Sequence, residues 1–345
     1  EICFSTEAKV PTWDPMITPD EKRGDHYAWG EPGTPFGTYY WNERGEKIGD
    51  NLDGDDSRVI VDRFEPFVRD CARAGTPFFA VVWFHAPHTP VVAGPDYRAL
   101  YAEHAEEEQH YYGCITAMDE QVGRINHLLK ELGLEEDTVL WFCSDNGPEG
   151  SGIPGKTGRS YGSTAGLRGR KRSLFDGGIA VPALVKWPGV VPAGGEYTFP
   201  ASTLDYLPTL IDHLGIAMPD NRPLDGISLL PLLRGETSRR PRPIPYRFLE
   251  AKDSMYGSPT FALIDNEHKF LTNLSEDGAE DLLFRLDEDR EESRNVLADD
   301  PERAQAMRRQ VRAFFDSCRA SHFGGDYPEL FTTPLAFQET TGAWV

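Results

Sequence analysis

The chain has 345 residues, 39% of them hydrophobic, which is enough apolar material for one large domain and a smaller one. A net charge of −21 argues for a well-solvated acidic surface and against the basic face of a nucleic-acid binder. No stretch approaches the roughly 18–20 apolar residues of a membrane-spanning helix.

The chain opens at Glu1 with no legible leader, as if cut into a longer sequence. Residues 1–54 are rich in Gly, Pro, Trp and Tyr and predict long irregular loops. Asp55-Asp56-Ser57 predicts a helix N-terminus, and Val59, Ile60, Phe64, Phe67, Val68 and Cys71 follow at helical spacing. The apolar run Phe78–Phe84 predicts a buried strand, and His85–Pro90 (HAPHTP) a turn after it. Tyr111, Ile115, Met118, Val122, Ile125 and Leu129 predict an amphipathic helix of about five turns, closed by Gly133. Thr138–Cys143 and Ala183–Trp187 predict two more strands, the first followed by Ser144-Asp145-Asn146-Gly147. Strand, helix and strand in this order define an α/β fold, with a parallel sheet and helices on its faces. In such sheets ligands gather at the carboxyl ends of strands, where both HAPHTP and SDNG fall.

Leu204–Leu214 predicts another short helix, and the proline-rich segment Pro241–Pro245 a domain boundary. The expected domains are 1–240, an α/β domain, and 241–345, a small α+β subdomain. In the latter, strands at Tyr246–Glu250, Thr260–Asp265 and Lys269–Asn273 precede an acidic stretch, Leu283–Asp300, and a helix at Pro301–Ala320. The five cysteines (Cys3, Cys71, Cys114, Cys143, Cys318) show no zinc spacing, and Cys143 predicts a buried thiol.

Three places carry residues suited to chemistry. Asp145 and Asn146 pair a carboxylate with an amide oxygen, as a hard cation prefers; a plain Asx turn has the same composition. His85 and His88 stand three apart, but Pro87 and Pro90 exclude a helical metal pair. Either histidine could donate to an anion or protonate a leaving group, or simply bond to backbone. The window from Gly150 to Phe175 holds six cations (Lys156, Arg159, Arg168, Arg170, Lys171, Arg172) and no acid. It reads as an anion focus or as a solvated basic loop.

Taken together and in this order, these segments resemble the type I sulfatases of the alkaline-phosphatase superfamily. The resemblance rests on HAPHTP, the helix segment Tyr112–Leu134, SDNG, Gly166–Gly189 (GLRGRKRSLFDGGIAVPALVKWPG), Leu204–Leu233 with its DYLPTL and LDGISLLPLL parts, and Leu283–Leu297 (LFRLDEDREESRNVL). It covers essentially all of 55–320. It implies an alkaline-phosphatase-like fold with a large, mostly parallel sheet, and hydrolysis of a sulfate ester. It also implies Asp145 and Asn146 as metal ligands, for calcium or else magnesium, and Lys171 as a sulfate contact. His88 would bind sulfate and serve the leaving group, with His85 structural or supporting the site from behind it.

The family's nucleophile is a cysteine in a CxPxR motif, converted to formylglycine. Neither that motif nor the family's upstream acidic pair and GKWH-like segment occurs here, and Cys3 lacks the Pro and Arg around it. The resemblance therefore implies an upstream polypeptide of the same protein. Phe4–Pro15 resembles a stretch found after these motifs in carbohydrate-acting sulfatases, so a sulfated saccharide is the expected substrate. Phe36–Trp41, including Tyr40 and Trp41, and Arg170 are its candidate contacts. By the same resemblance the compartment is periplasmic or extracellular. Two alternatives remain at this stage: a phosphate or phosphonate ester hydrolase of the superfamily, and an inactive sulfatase-like binding protein. Asn146 beside the aspartate, and Lys171, favour sulfate.

Overall fold

A computed structural model describes residues 2–19, 30–150, 161–220, 222–249 and 257–326. Lys156 and Arg159 of the basic window lie outside these residues. The chain divides into two units, residues 1–140 with 148–163 and residues 141–147 with 164–345.

In the first unit, β1 (Phe4–Thr6), β2 (Tyr40–Asn42) and β3 (Lys47–Ile48) form a small antiparallel sheet. The sequence reads as loop here because strands of two or three residues are too short to show an alternating pattern. The ring of Phe4 stacks on Tyr40 at 4.3 Å, over a small core of Tyr40, Leu52 and Val59. Helix α1 (Asp56–Ala74) starts where the Asp55 carboxylate accepts the Arg58 N–H at 2.8 Å, and ends at the left-handed Gly75. After the short α2 (Pro95–Ala99) comes α3 (Glu106–Glu131), longer at its start than its apolar stripe predicts. Glu106, Glu107 and Glu108 occupy that added turn, where acids complement the helix dipole. α1 and α3 pack through Val61, Val68, Ile125, Leu128 and Leu129.

The predicted strand at Phe78–Phe84 carries no ladder among the described residues. Its side chains still alternate. Phe78 and Phe84 pack onto the α1–α3 core, while Phe79, Val81 and Trp83 are 76%, 55% and 81% exposed. One face of this segment is thus covered by helices, and the other face is bare.

Asp55 is buried beside the equally buried Asp56. Burial, reinforced by the Asp56 charge, pushes its carboxyl up to about 7. The folded chain therefore holds a proton that the unfolded chain loses near its ordinary value of 3.8. The stability this proton confers is fully present below about pH 4 and is lost as pH rises through about 7. Asp55→Asn keeps a helix cap and should flatten the pH dependence across that window. Urea unfolding at about pH 5 and about pH 8 checks this, and an unchanged slope would refute it.

The second unit opens with the last three residues of β4 (Leu140–Cys143). Next come α4 (Asp176–Ile179) and β5 (Ala183–Lys186), which pairs with β4. These two strands are what the described residues hold of the expected large sheet. Cys143 is only half-buried, against the expectation of a buried thiol; on the neighbouring strand Leu184 is 67% exposed.

Helices α5 (Tyr206–Leu214) and α6 (Leu230–Leu233) follow. Between them sits a buried hub. Asp205, with no exposed surface, takes a two-pronged ion pair from Arg240 at 2.7 and 2.7 Å. The same carboxylate accepts the Ser202 and Ile227 N–H groups at 2.8 and 2.9 Å. The aspartate of DYLPTL is thus a scaffold residue.

Strands β6 (Ile244–Arg247), β7 (Phe261–Asp265), β8 (His268–Thr272) and β9 (Leu282–Arg285) form an antiparallel sheet in sequence order. Three of them fall where the sequence predicts strands. β9 overlaps the start of the predicted acidic stretch, Leu283–Asp300, because Leu282–Phe284 is a short apolar run flanked by charge. One face packs on α7 (Pro301–His322) through Leu263, Phe270, Leu283, Met307 and Val311. The opposite face, through Ala262, Leu271 and Phe284, receives Leu174 and Phe175 from the basic loop.

Candidate active site

Asp145 and Asn146 sit immediately after β4, as predicted. The Asp145 carboxylate is exposed and accepts the Asn146 N–H at 2.8 Å. Asn146 donates its Nδ2 to Gly147 O at 2.8 Å, so Oδ1 is the acceptor its amide presents elsewhere. Ser144 Oγ donates to Asn146 O at 3.0 Å and closes the turn. The segment is a locally hydrogen-bonded loop, not an Asx turn, since the Gly147 N–H goes to Gly178 O, and it carries a pair of hard oxygen donors.

Next in the chain is the basic loop, residues 166–178. Its two ends meet: Gly177 N–H donates to Arg168 O at 2.7 Å, and Ser173 N–H to Arg170 O at 3.0 Å. Arg170 and Lys171 lie at the half-buried bend between those bonds. Among the described residues no carboxylate pairs with the Lys171 ammonium. Arg168 is committed elsewhere, stacked over Phe175 at 3.8 Å with Nη1 donating to Glu292 O. The basic run therefore separates into one structural arginine, Arg168, and a bend carrying three cations, Arg170, Lys171 and Arg172.

One bond joins the two loops. Gly147 N–H donates to Gly178 O at 2.8 Å. The approach is close enough that a Cβ on Gly147 would sit 1.9 Å from Gly177 O, and one on Gly177 would sit 2.2 Å from Gly169 O. Gly147→Ala should therefore cost about 1–3 kcal/mol through backbone displacement. A chemical-denaturation midpoint equal to that of the parent would show that the loops are not in contact in solution.

His88 belongs to the first unit and is described there alone. It lies on the exposed side of the HAPHTP turn, whose Ala86–Pro87 and Thr89–Pro90 bonds are cis. Its Nδ1 lies 2.9 Å from Thr89 O, an acceptor only, so Nδ1 carries the proton. Nε2 is then the nitrogen that takes or gives a second proton. His85 is held within the fold: its Nδ1 meets Asp56 at 2.8 Å, its Nε2 meets Thr6 Oγ1 at 3.0 Å, and its carbonyl accepts His88 N–H.

Sequence reasoning missed the anchor of this turn, Asp56. It read Asp56 as a first-turn acid, whereas the residue is fully buried and also receives the Tyr40 hydroxyl. That contact corrects a second expectation. Tyr40 is 1% exposed, so it cannot serve as a sugar platform. Its neighbours Tyr39 and Trp41 are half-buried, with Lys47 Nζ over both rings at 3.3 and 5.4 Å.

Residues 9–216, more than half of the chain, match the Sulfatase family, and residues 169–319 match N-sulphoglucosamine sulphohydrolase, C-terminal. The chain belongs to the sulfatase family. It is 34% identical to human steryl-sulfatase over 179 residues, 51% of this chain and 29% of that protein. It is 32% identical to N-acetylgalactosamine-6-sulfatase of Canis lupus familiaris over 186 residues, 54% of this chain and 34% of that protein. Among solved structures, Ps i-CgsB matches at TM-score 0.64 and 25% identity, over 80% of this chain and 57% of that one. It has also been solved with k-i-k-neocarrahexaose. The chain spans 29% and 34% of the length of these two curated relatives. The α/β, alkaline-phosphatase-like fold expected from the sequence is that of the structural neighbours.

Sulfatases use a divalent metal and a formylglycine. The exposed Asp145 carboxylate and Asn146 amide fit part of such a metal site, being hard oxygen donors on one turn. Among the described residues no group of three or more His, Cys, Asp or Glu side chains is placed to hold a metal.

Proposed function

We propose that this chain provides one metal-ligand pair and the anion loop of an enzyme that hydrolyses a sulfate ester, with a carbohydrate sulfate as the substrate class. The observation that carries this reading is the Gly147–Gly178 bond. It holds an oxygen-donor turn against a loop whose lysine has no carboxylate partner among the described residues. Hard oxygens and a point cation on adjoining loops suit a group carrying concentrated negative charge.

The chain's own residues would act as follows. Asp145 and Asn146 hold a divalent cation, calcium or else magnesium, through oxygen. When bound, that cation supplies charge neutralisation at the sulfate oxygens. Lys171, with Arg170 beside it on the same bend, stabilises charge on the sulfuryl group. His88 holds one proton on Nδ1 and delivers a second from Nε2 to the departing alcohol.

The formylglycine nucleophile is assigned to an upstream segment of the same protein. The bare face at Phe79, Val81 and Trp83 supports this, because an extended segment covered on one side only has room for further strands. The carbohydrate class is supported by the relative named N-acetylgalactosamine-6-sulfatase and by the neighbour solved with k-i-k-neocarrahexaose. The half-exposed pair Tyr39 and Trp41 is the aromatic surface available to a sugar ring.

The test is a release assay with the full-length protein on sulfated saccharides, a steryl sulfate and a phosphate monoester. Inorganic sulfate from the saccharides alone is the expected result. Preferential release from the steryl sulfate would overturn the substrate class. Release of phosphate but not sulfate would overturn the reaction.

A further inference from the structure

We propose that Asp176, Lys269 and Glu292 are positioning residues for the anion loop: a buried ionic cluster that fixes the Lys171 bend and the Asp145–Asn146 turn as a single unit. The proposal rests on the functional reading above and deepens it.

The cluster lies on the sheet face that receives Phe175. Lys269 on β8 has no exposed surface. Its ammonium is 2.6 Å from Asp176 and 2.8 Å from Glu292. Glu292 is also fully buried, and its second oxygen accepts the Asp176 N–H at 2.5 Å. Its backbone carbonyl takes the Arg168 guanidinium at 2.9 Å. Both ends of the basic loop, Arg168 and Asp176, are therefore tied to one residue far along the chain.

The geometry has a direction. Two carboxylates and one ammonium without water are costly to assemble, and neutral apolar residues would fill such a space at least as well. A cluster like this holds a definite arrangement more than it adds stability. Asp176 opens α4, whose Gly177 and Gly178 bond to Arg168 on one side and to Gly147 on the other. An ordered Asp176 thus sets the bend at Arg170–Lys171 and the turn at Asp145–Asn146 together. The residues themselves touch neither place in the structure; they act through the backbone between them.

The test uses the full-length protein and inorganic sulfate as the probe, with its dissociation constant read by calorimetric titration. That constant, taken per binding-competent molecule, does not depend on how much protein is folded. Lys269→Met should weaken sulfate binding roughly ten- to a hundredfold, the usual cost of removing a group that orients a ligand-contacting one. Glu292→Gln keeps the shape and removes one charge, and should weaken binding in the same direction by less. Combining Lys269→Met with Lys171→Ala should add little to Lys171→Ala alone, because the two act as one unit.

A lower melting temperature with an unchanged sulfate constant would show that the cluster only supports the fold, and would overturn the proposal. Should Lys269→Met fail to fold, Glu292→Gln decides by the same reading. If Lys171→Ala itself leaves sulfate binding unchanged, the functional reading falls and this inference with it. If Lys171→Ala weakens binding while the cluster variants do not, only this inference falls.

Discussion

Lys171→Ala in the full-length protein is expected to lower kcat/KM for sulfate-ester hydrolysis by roughly a hundred- to a thousandfold, the scale for one preorganised donor to developing charge. The effect should be chemical and not conformational. Among the described residues the ammonium has no carboxylate partner, so its loss leaves no buried charge behind. The loop keeps its shape through Gly177–Arg168, Ser173–Arg170 and the contacts of Arg168, none of which uses the Lys171 side chain. The melting temperature should therefore stay close to that of the parent. Lys171→Arg restores the charge but spreads it over a planar fork, and should recover only part of the rate. Steady-state kinetics on one sulfated saccharide, with the unfolding curve measured alongside, checks both halves. An unchanged kcat/KM would remove Lys171 from the mechanism, and a collapsed melting temperature would reassign it to the fold.

A large loss of stability is expected from Arg240→Ala. Asp205 is fully buried and its two oxygens carry the guanidinium at 2.7 Å each. Removing the arginine leaves a carboxylate in the interior with, among the described residues, two backbone N–H groups to hold its charge. Stranding one member of a buried pair typically costs about 3–5 kcal/mol. Pairing it with Asp205→Asn should recover part of that loss, since the neutral amide no longer needs a counter-charge. Urea unfolding of the parent, the single variant and the double variant measures the effect. A loss below about 1 kcal/mol for Arg240→Ala, the scale of an exposed pair, would show that the site is open to water in solution.

Much of this architecture is legible in the sequence, and what is not has a common cause. Helix α3 is readable because its stripe of Tyr111, Ile115, Met118, Val122, Ile125 and Leu129 is a local periodic signal. The Asp145–Asn146 turn and the Lys171 bend are readable because each motif is contiguous. Lys269 is not: the sequence marks it only as the first residue of a predicted strand, with nothing local to signal its burial. Its buried ammonium is met by Asp176, 93 residues earlier, and by Glu292. Asp56 and Tyr40 fail in the same way, 16 residues apart and each ordinary in its own surroundings. The run Phe78–Phe84 has the extended, alternating character of the predicted strand, but its burial depends on neighbours that its own residues do not specify. Charges and aromatics whose partners are distant carry no local signature, and here those residues orient the candidate site.

The bond between Asp176 N–H and Glu292 also sets an order of events during synthesis. The partners are 116 residues apart, so the bond is absent until Glu292 has been translated. At about 5–20 residues per second, the basic loop spends on the order of ten seconds on the ribosome without its anchor. Over that interval its cations are held only by contacts within the loop, and contacts this distant are also slow to form once the chain is free. The anion loop is therefore among the late parts of the second unit to acquire its final form.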